Sequence, residues 1–388
     1  MKIVADENIP LLMECFGPIG EVVALPGRSI APEDVQDADA LLVRSVTKVN
    51  KRLVENSTLK FVGTATAGFD HIDQEHLVDQ DIAFSYAPGC NAIAVVEYVL
   101  AALDVLTERD GFQLHDRKVG IVGKGQVGGR LYQMMKHLGV AVCACDPLLE
   151  SSEDSSHDSR YVSIDKLIEC SDIICLHTPL TMDGQYPTHH LIGEQRLQAM
   201  KPGTVLINAG RGPVVDNTAL KKCLNERNDL TVVLDVWEHE PDTDPELIAR
   251  VDIATPHIAG YSLDGKIRGT KMIYKTLLQH FGLPHKIQFP AITPLPVLKQ
   301  MTFSEGTTFS TTCSKAIRSI YDIRRDDAVM RKGLMGAEKH QRKLTFDRLR
   351  KDYPERREFN TLRVELKNGT SELVHILQAL QFKIENAI

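Results

Sequence analysis

Three polar residues stand just past apolar, strand-like runs: Arg211 after VLINAG, Glu240 after VVLDVWEH and His257 after DIATP. In a parallel sheet such strand ends line the ligand crevice. Oxidising the alcohol of a hydroxy acid needs a base for the hydroxyl proton and a cation for the carboxylate, while a nicotinamide takes the hydride. Histidine and arginine suit the first two tasks. A carboxylate hydrogen-bonded to the imidazole fixes its tautomer and favours its protonated form, and Glu240 is the candidate. Taken singly, each residue has a plain alternative: a satisfied structural histidine among fourteen, a loop arginine between Gly210 and Gly212, a solvated turn before Pro241.

A second group of residues points to a dinucleotide. Gly123, Lys124, Gly125, Gln126, Val127 and Gly128 form a G-x-G-x-x-G that follows the apolar run VGIV and opens a helical pattern over Val127 to Leu138. Glycine triplets occur by chance in turns, but the strand before and the helix after make this a βαβ unit. The first glycine permits the tight turn, the second lets backbone approach a pyrophosphate, and the third allows close helix–strand packing. Asp146 ends the next strand, 18 residues past Gly128. Its carboxylate can accept from both ribose hydroxyls and would repel a 2′-phosphate. No Arg or Lys stands in the next four positions, so NAD is expected over NADP.

The elements that must carry these residues read as two doubly wound, Rossmann-like α/β domains and a smaller C-terminal α+β domain. Strands are expected at Lys2 to Ala5, Ala40 to Val43, Leu59 to Val62 and Ile82 to Ser85, and again at Val119 to Val122, Val140 to Cys145, Asp172 to Leu176, Val205 to Asn208 and Val232 to Asp235. A long helix is expected from Asn91 to about Glu108, with Glu97, Asp104 and Glu108 on one face and the rest apolar, buried against its own domain and a second subunit. Ser151 to Ser159, SSEDSSHDS, reads as a surface loop. Four prolines between Pro284 and Pro296 break any helix and mark a linker, after which the pattern is helix, helix, a strand at Leu362 to Leu366, an Asn368-Gly369 turn and a helix from Ser371. The expected boundaries are residues 1–93 with 258–283 for substrate, 94–257 for NAD, and 284–388 for the C-terminal domain.

Composition narrows the function. With 43% hydrophobic and 25% charged residues in 388, the chain can bury large cores. Asp6 and Glu7 interrupt the apolar run an export signal needs, and Glu97 and Asp104 break the longest apolar stretch, so no membrane segment is expected and a cytoplasmic location is. The eight cysteines show no C-x-x-C pair and no grouping with His at zinc-ligand spacing, so no metal is expected. A net charge of −7 argues against nucleic acid. One segment runs the other way: Lys315 to Glu358 holds 14 Lys and Arg against 8 Asp and Glu, readable as a solvated helical face or a wall for an anionic ligand.

NAGRGPVVD (208–216), LDVWEHEP (234–241) and TPHIAG (255–260), in that order after the G-x-G-x-x-G, resemble the D-isomer-specific 2-hydroxyacid dehydrogenase family over roughly residues 1 to 280. The resemblance implies that Arg211 binds the substrate carboxylate, Glu240 orients the imidazole and His257 is the acid and base. It carries Asp235 to the nicotinamide amide, and Thr178, Ala209 and Gly260 to the cofactor. Further stretches, DENIP (6–10), VRSVT (43–47), DGQYPTHHL (183–191), AGYSLDGK (259–266) and YDIRRDD (321–327), are similar to one branch of the family. That branch implies a small phosphorylated 2-hydroxy acid as substrate, contacts from Ser45, Thr66 and Tyr261, and a C-terminal domain that makes a homodimer. Arg44 could supply positive charge for the phosphate or an ordinary surface ion pair. A phosphoglycerate or other 2-hydroxyacid dehydrogenase would share every catalytic residue, and a non-enzymatic NAD sensor on the same fold could retain the triad.

Overall fold

The computed structural model describes residues 1–150, 161–367 and 369–387; the SSEDSSHDS stretch and Asn368 of the expected turn lie outside them. The chain divides into two compact units, residues 1–91 with 261–296 and residues 92–260 with 297–388.

In the first unit five parallel strands, β1 (Lys2–Asp6), β2 (Glu21–Leu25), β3 (Ala40–Val43), β4 (Phe61–Thr64) and β5 (Ala83–Ser85), are ordered β2-β1-β3-β4-β5. β3 and β4 are buried along their whole length, as continuous apolar runs in a parallel sheet should be. β2, EVVAL, was not among the expected strands; it lies at the sheet edge, and none of its residues is fully buried. The helix Leu263–His280 belongs here. Ser262 caps it by accepting from the Gly265 N–H, and Ile267, Ile273, Tyr274 and Leu277 join a core with Ile3, Ala5, Leu42 and Phe61. Gly269 lets that helix approach the loop after β4, since a Cβ there would lie 2.6 Å from the Ala65 carbonyl oxygen.

The second unit holds six parallel strands, β6 (Lys118–Val122), β7 (Ala141–Cys145), β8 (Ile173–Leu176), β9 (Val205–Asn208), β10 (Thr231–Leu234) and β11 (Ile253–Ala254), ordered β11-β10-β9-β8-β6-β7. Tyr161 adds a parallel bridge to Ala144 beside β7. The order reverses at β6, which places the switch point, and hence the ligand crevice, at the turn after Val122. The expected helix runs Ala92–Asp110 and buries most of its length.

Residues 297–388 pack on this same unit. Three strands, β12 (Gln300–Phe303), β13 (Arg363–Lys367) and β14 (Lys383–Ala387), form a parallel sheet ordered β12-β13-β14. Three helices precede β13 where two were expected; the extra one, Lys339–Lys351, buries only Thr345 and Phe346 and so leaves almost no apolar period to read. Met330, Leu334 and Phe346 enter the core beneath β9 and β10. Within the basic stretch Lys315, Arg324, Arg325, Lys332, Arg348 and Lys351 are exposed, as a solvated face would have them, while other members make contacts. Arg318 pairs with Asp104 and Glu108 at 2.6 and 2.5 Å, Arg331 donates to the Ile248 and Val251 carbonyls at 2.5 and 2.7 Å, and Lys339 and Lys343 meet Asp242 at 2.9 and 3.2 Å. These charges dock the helices onto the nucleotide-type sheet. The acidic face of the Ala92–Asp110 helix is thereby covered from within the chain, with Glu97 accepting from the Phe359 N–H at 2.7 Å. All eight cysteines are unpaired thiols, and no helix among the described residues is long and apolar enough to cross a membrane.

Candidate active site

The glycine-rich turn leaves β6 at Gly123, whose φ of +84° is the left-handed region that favours glycine. At Gly128 a Cβ would overlap the Gly123 carbonyl oxygen, so the third glycine is required by packing. Gly125 differs. A Cβ there would meet nothing within 4 Å, so no protein neighbour demands glycine, and the space beside its backbone stays open at the start of the helix Gln126–His137. Gln126 and Val127 form that first turn. Asp146, just past β7, accepts from Lys124 N at 2.8 Å and from Leu149 N at 3.3 Å, which holds its carboxylate beside the turn. Thr178 follows β8, and its buried Oγ1 has no hydrogen-bond partner, close to where a Gly123 Cβ would project. Both ring nitrogens of the adjacent His177 are likewise unpartnered, and burial pushes its pKa down to about 4, so the ring is neutral. An open backbone at a helix N-terminus, a strand-end carboxylate and an orphaned hydroxyl fit a bound dinucleotide.

Three loops at neighbouring strand ends carry Arg211, Glu240 and His257. After β9 comes Ala209, and Asn208 ties the loop down by accepting from Gly210 N at 3.2 Å and donating to the Arg211 carbonyl at 3.0 Å. Arg211 donates to the Gly210 carbonyl at 3.0 Å. At Gly212 a Cβ would overlap the Trp237 carbonyl, so this loop lies directly on the one that follows β10. In that second loop Glu240 accepts from Trp237 N through Oε1 at 2.8 Å and from His257 Nδ1 through Oε2 at 2.7 Å. Burial alone would raise the Glu240 pKa, but the His257 charge and hydrogen bond, with the Trp237 N–H, bring it below the ordinary value of 4.5, so Glu240 is ionised at neutral pH. With Nδ1 engaged by Glu240, Nε2 is the other ring nitrogen.

His257 itself has a left-handed backbone, φ +58°. What holds it there is Asp235. The Asp235 carbonyl accepts from His257 N at 2.7 Å, and its carboxylate accepts from Thr255 Oγ1, Ile258 N and Ala259 N at 2.7, 2.8 and 2.9 Å. Asp235 is 1% exposed, and burial raises its pKa above the ordinary carboxylate value despite these bonds. Its role in this structure is to shape the loop that presents His257. Arg356 reaches the same loop from the C-terminal segment, donating to the Ala259 carbonyl at 3.1 Å and the Ala94 carbonyl at 2.6 Å.

Gly260 ends the second unit, and the expected substrate contacts belong to the first. Arg44 and Ser45 follow β3, Thr66 follows β4, and Tyr261 precedes the Leu263–His280 helix. Ser45 is exposed; Arg44 is half-buried and donates to the Asn8 carbonyl at 3.2 Å. Thr66 donates to the Gly68 carbonyl at 2.8 Å and lies 2.7 Å from Thr64 Oγ1, which lies 3.0 Å from His71 Nε2.

Two features escaped sequence reasoning. His190 Nε2 meets Glu238 at 2.6 Å, and Glu238 also accepts from Asn217 N at 3.1 Å, bracing the loop that carries Glu240. His190 stood in DGQYPTHHL and Glu238 in LDVWEHEP, but neither spacing reveals a contact 48 residues apart. The other is Lys266, whose ammonium lies 4.8 Å from the Tyr261 ring centroid.

The family model described as D-isomer specific 2-hydroxyacid dehydrogenase, NAD binding domain, matches residues 101–259, and one described as a domain of unknown function matches residues 292–380. A protein of Proteus mirabilis (strain HI4320) named erythronate-4-phosphate dehydrogenase is 48% identical over 98% of this chain and 99% of its own length. Its namesake in Hahella chejuensis (strain KCTC 2396) is 46% identical over 100% of both chains. Among solved structures, 3-phosphoglycerate dehydrogenase of Entamoeba histolytica with NAD+ bound is 27% identical, with a TM-score of 0.61, covering 73% of this chain and 95% of the other. D-lactate dehydrogenase of Aquifex aeolicus, complexed with NAD and lactic acid, shares the fold at 24% identity and a TM-score of 0.59, covering 73% and 96%.

Proposed function

We propose a substrate and a residue-by-residue mechanism from one premise: the chain belongs to the D-isomer specific 2-hydroxyacid dehydrogenases and, within them, to the erythronate-4-phosphate dehydrogenases. It is an NAD-dependent dehydrogenase. The substrate is 4-phospho-D-erythronate, oxidised at C2 to 2-oxo-3-hydroxy-4-phosphobutanoate on the route to pyridoxal 5′-phosphate. The observation that carries the chemistry is the 2.7 Å contact between Glu240 and His257 Nδ1. The carboxylate holds the ring with Nδ1 protonated, so Nε2 takes the C2 hydroxyl proton and the imidazolium that forms is matched by a negative charge. Arg211 grips the C1 carboxylate, and its planar guanidinium fixes the acid so that C2 faces the cofactor. Bound NAD+ supplies the hydride acceptor. Asp146 holds the adenosine ribose, and Gly125 and Gly128, with Gln126 and Val127, form the pyrophosphate turn. Thr178, Ala209, Asp235 and Gly260 complete the cofactor side. Ser45, Thr66, Tyr261 and Arg44 hold the phosphorylated end of the substrate. The C-terminal residues 284–388 make the homodimer, and the enzyme works in the cytoplasm.

The experiment is direct. Purified protein with 4-phospho-D-erythronate and NAD+ should form NADH with a kcat/KM well above that for 3-phosphoglycerate. A preference for 3-phosphoglycerate would replace the substrate, and no NADH with any 2-hydroxy acid would replace the enzyme with a sensor.

A further inference from the structure

In the first unit, the carboxyl ends of β1, β3 and β4 and the amino end of the Leu263–His280 helix gather two cations. Arg44, just past β3, donates to the Asn8 carbonyl in the turn after β1. Two residues on, the Pro10 carbonyl accepts from Thr270 Oγ1 at 3.0 Å, which pins the helix to the same turn. Lys266 lies one helical turn before Thr270 on the same face, because residues four apart stack along a helix. Its ammonium rests against the Tyr261 ring at 4.8 Å, a cation–π contact that orients the charge without neutralising it. Among the described residues no carboxylate pairs with Lys266 or with Arg44. Burial first, and then the like charge of Arg44, push the Lys266 ammonium down from 10.5 to about 8. A fold seldom keeps two uncompensated cations together unless an anion joins them, since like charges disfavour each other's ionised form.

We propose that Lys266 and Arg44, oriented by Tyr261 and Asn8, form a cradle for the terminal phosphate of the substrate, with Lys266 as the residue that selects phosphorylated over unphosphorylated 2-hydroxy acids. A dianionic phosphate accepts from both cations at once, and the first turn of an 18-residue helix adds its positive end. The proposal deepens the substrate reading above and rests on it.

The test uses the full-length enzyme with NAD+ and two acids that differ only in the phosphate, 4-phospho-D-erythronate and D-erythronate. For the wild type, Lys266→Met, Lys266→Arg and Arg44→Gln, the readouts are kcat/KM on each acid and competitive inhibition by inorganic phosphate. Lys266→Met should shrink the ratio of the two kcat/KM values by about 10- to 100-fold, mostly through KM for the phosphorylated acid, the range expected for one charge-assisted hydrogen bond. The inhibition constant for inorganic phosphate should rise by a similar factor. Lys266→Arg should keep most of the discrimination, and Arg44→Gln should lose part of it. If the ratio and the phosphate inhibition stay at wild-type values in Lys266→Met and Arg44→Gln, the cradle lies elsewhere and the proposal fails while the substrate reading stands. A wild type that turns over D-erythronate as well as its 4-phosphate overturns the substrate reading itself. Should Lys266→Met prove unfolded by its melting curve, Lys266→Gln and Arg44→Gln carry the same decision.

Discussion

Glu240→Gln isolates the charge that faces the His257 imidazole. Glu240 uses one oxygen for Trp237 N and the other for His257 Nδ1. Glutamine has a single acceptor oxygen, so one of the two donors must face an amide N–H₂ instead. Placed toward His257, that amide would favour a ring protonated at Nε2, unable to take the substrate proton. Placed toward Trp237, it would leave a backbone N–H without its acceptor, a loss of about 1–3 kcal/mol. The charge adds to this. With charge centres about 4 Å apart and an effective dielectric near 20, the attraction between carboxylate and imidazolium is about 4 kcal/mol. Side-chain exposures of 34% for His257 and 19% for Glu240 screen it to about half. Together these predict that kcat/KM falls by about 10²- to 10³-fold, at about 1.4 kcal/mol per tenfold. Because the Glu240 carboxyl titrates below 4.5, its charge persists at every pH where the enzyme would be assayed, and the deficit should not be recovered by raising pH. NADH formation and the reverse reduction of the 2-oxo acid would both be followed from pH 6 to 10, with NADH binding by fluorescence as the control. A loss under threefold in both directions would refute the argument that Glu240 acts through the His257 ring.

Three further outcomes are expected. Asp146→Ala should narrow the preference of kcat/KM for NAD over NADP, and an unmoved ratio would reduce Asp146 to its bonds with Lys124 and Leu149. His71 and His177 are both held near pKa 4 by burial, so the unfolded chain, with ordinary values near 6.5, binds more protons between those limits. Stability should therefore fall as pH drops from 6.5 toward 4 and level off for these groups below it; denaturant midpoints that stay flat across that window would contradict their burial as neutral rings. A chain ended at Pro296 loses Met330, Leu334 and Phe346 from the core of the second unit and should aggregate on expression. A soluble truncate that still binds NAD would mean that core closes without them.

The nucleotide half was legible because its signals are local. Val119 to Val122, Val205 to Asn208 and the glycine turn each announce themselves within a few residues, and strand-end polarity singled out Arg211, Glu240 and His257, of which the structure joins Glu240 to His257. What failed was anything set by distant packing. β2 is a half-exposed edge, and the helix Lys339–Lys351 shows no apolar stripe because it buries so little. The docking contacts of the basic stretch were hidden for the same reason: the partners Asp104, Asp242 and the carbonyls of Ile248 and Val251 lie 80 to 214 residues away in sequence. Lys266 looked like an ordinary polar position on a helix, and only the placement of Arg44 and Tyr261 gives it chemical meaning.

The geometry of the Glu240–His257 pair depends on the buried polar groups around it. A carboxylate as buried as Asp235 is costly, and three hydrogen bonds to Thr255, Ile258 and Ala259 offset that cost only while the loop keeps its shape. The same bonds hold His257 at positive φ, so loop conformation and charge burial sustain each other. Thr255 extends the network to Tyr98 on the long helix at 2.7 Å, and Arg356 fastens Ala259 to Ala94 on that helix. Arg356 belongs to the C-terminal segment and lies over the Tyr321 ring at 3.7 Å, within the stretch YDIRRDD. A segment remote in sequence thus reaches the carbonyl two residues past His257. Positions fixed by a continuous polar network tolerate little displacement, and proton transfer demands that, because a shift of about 1 Å at Nε2 would forfeit the alignment on which general-base catalysis depends.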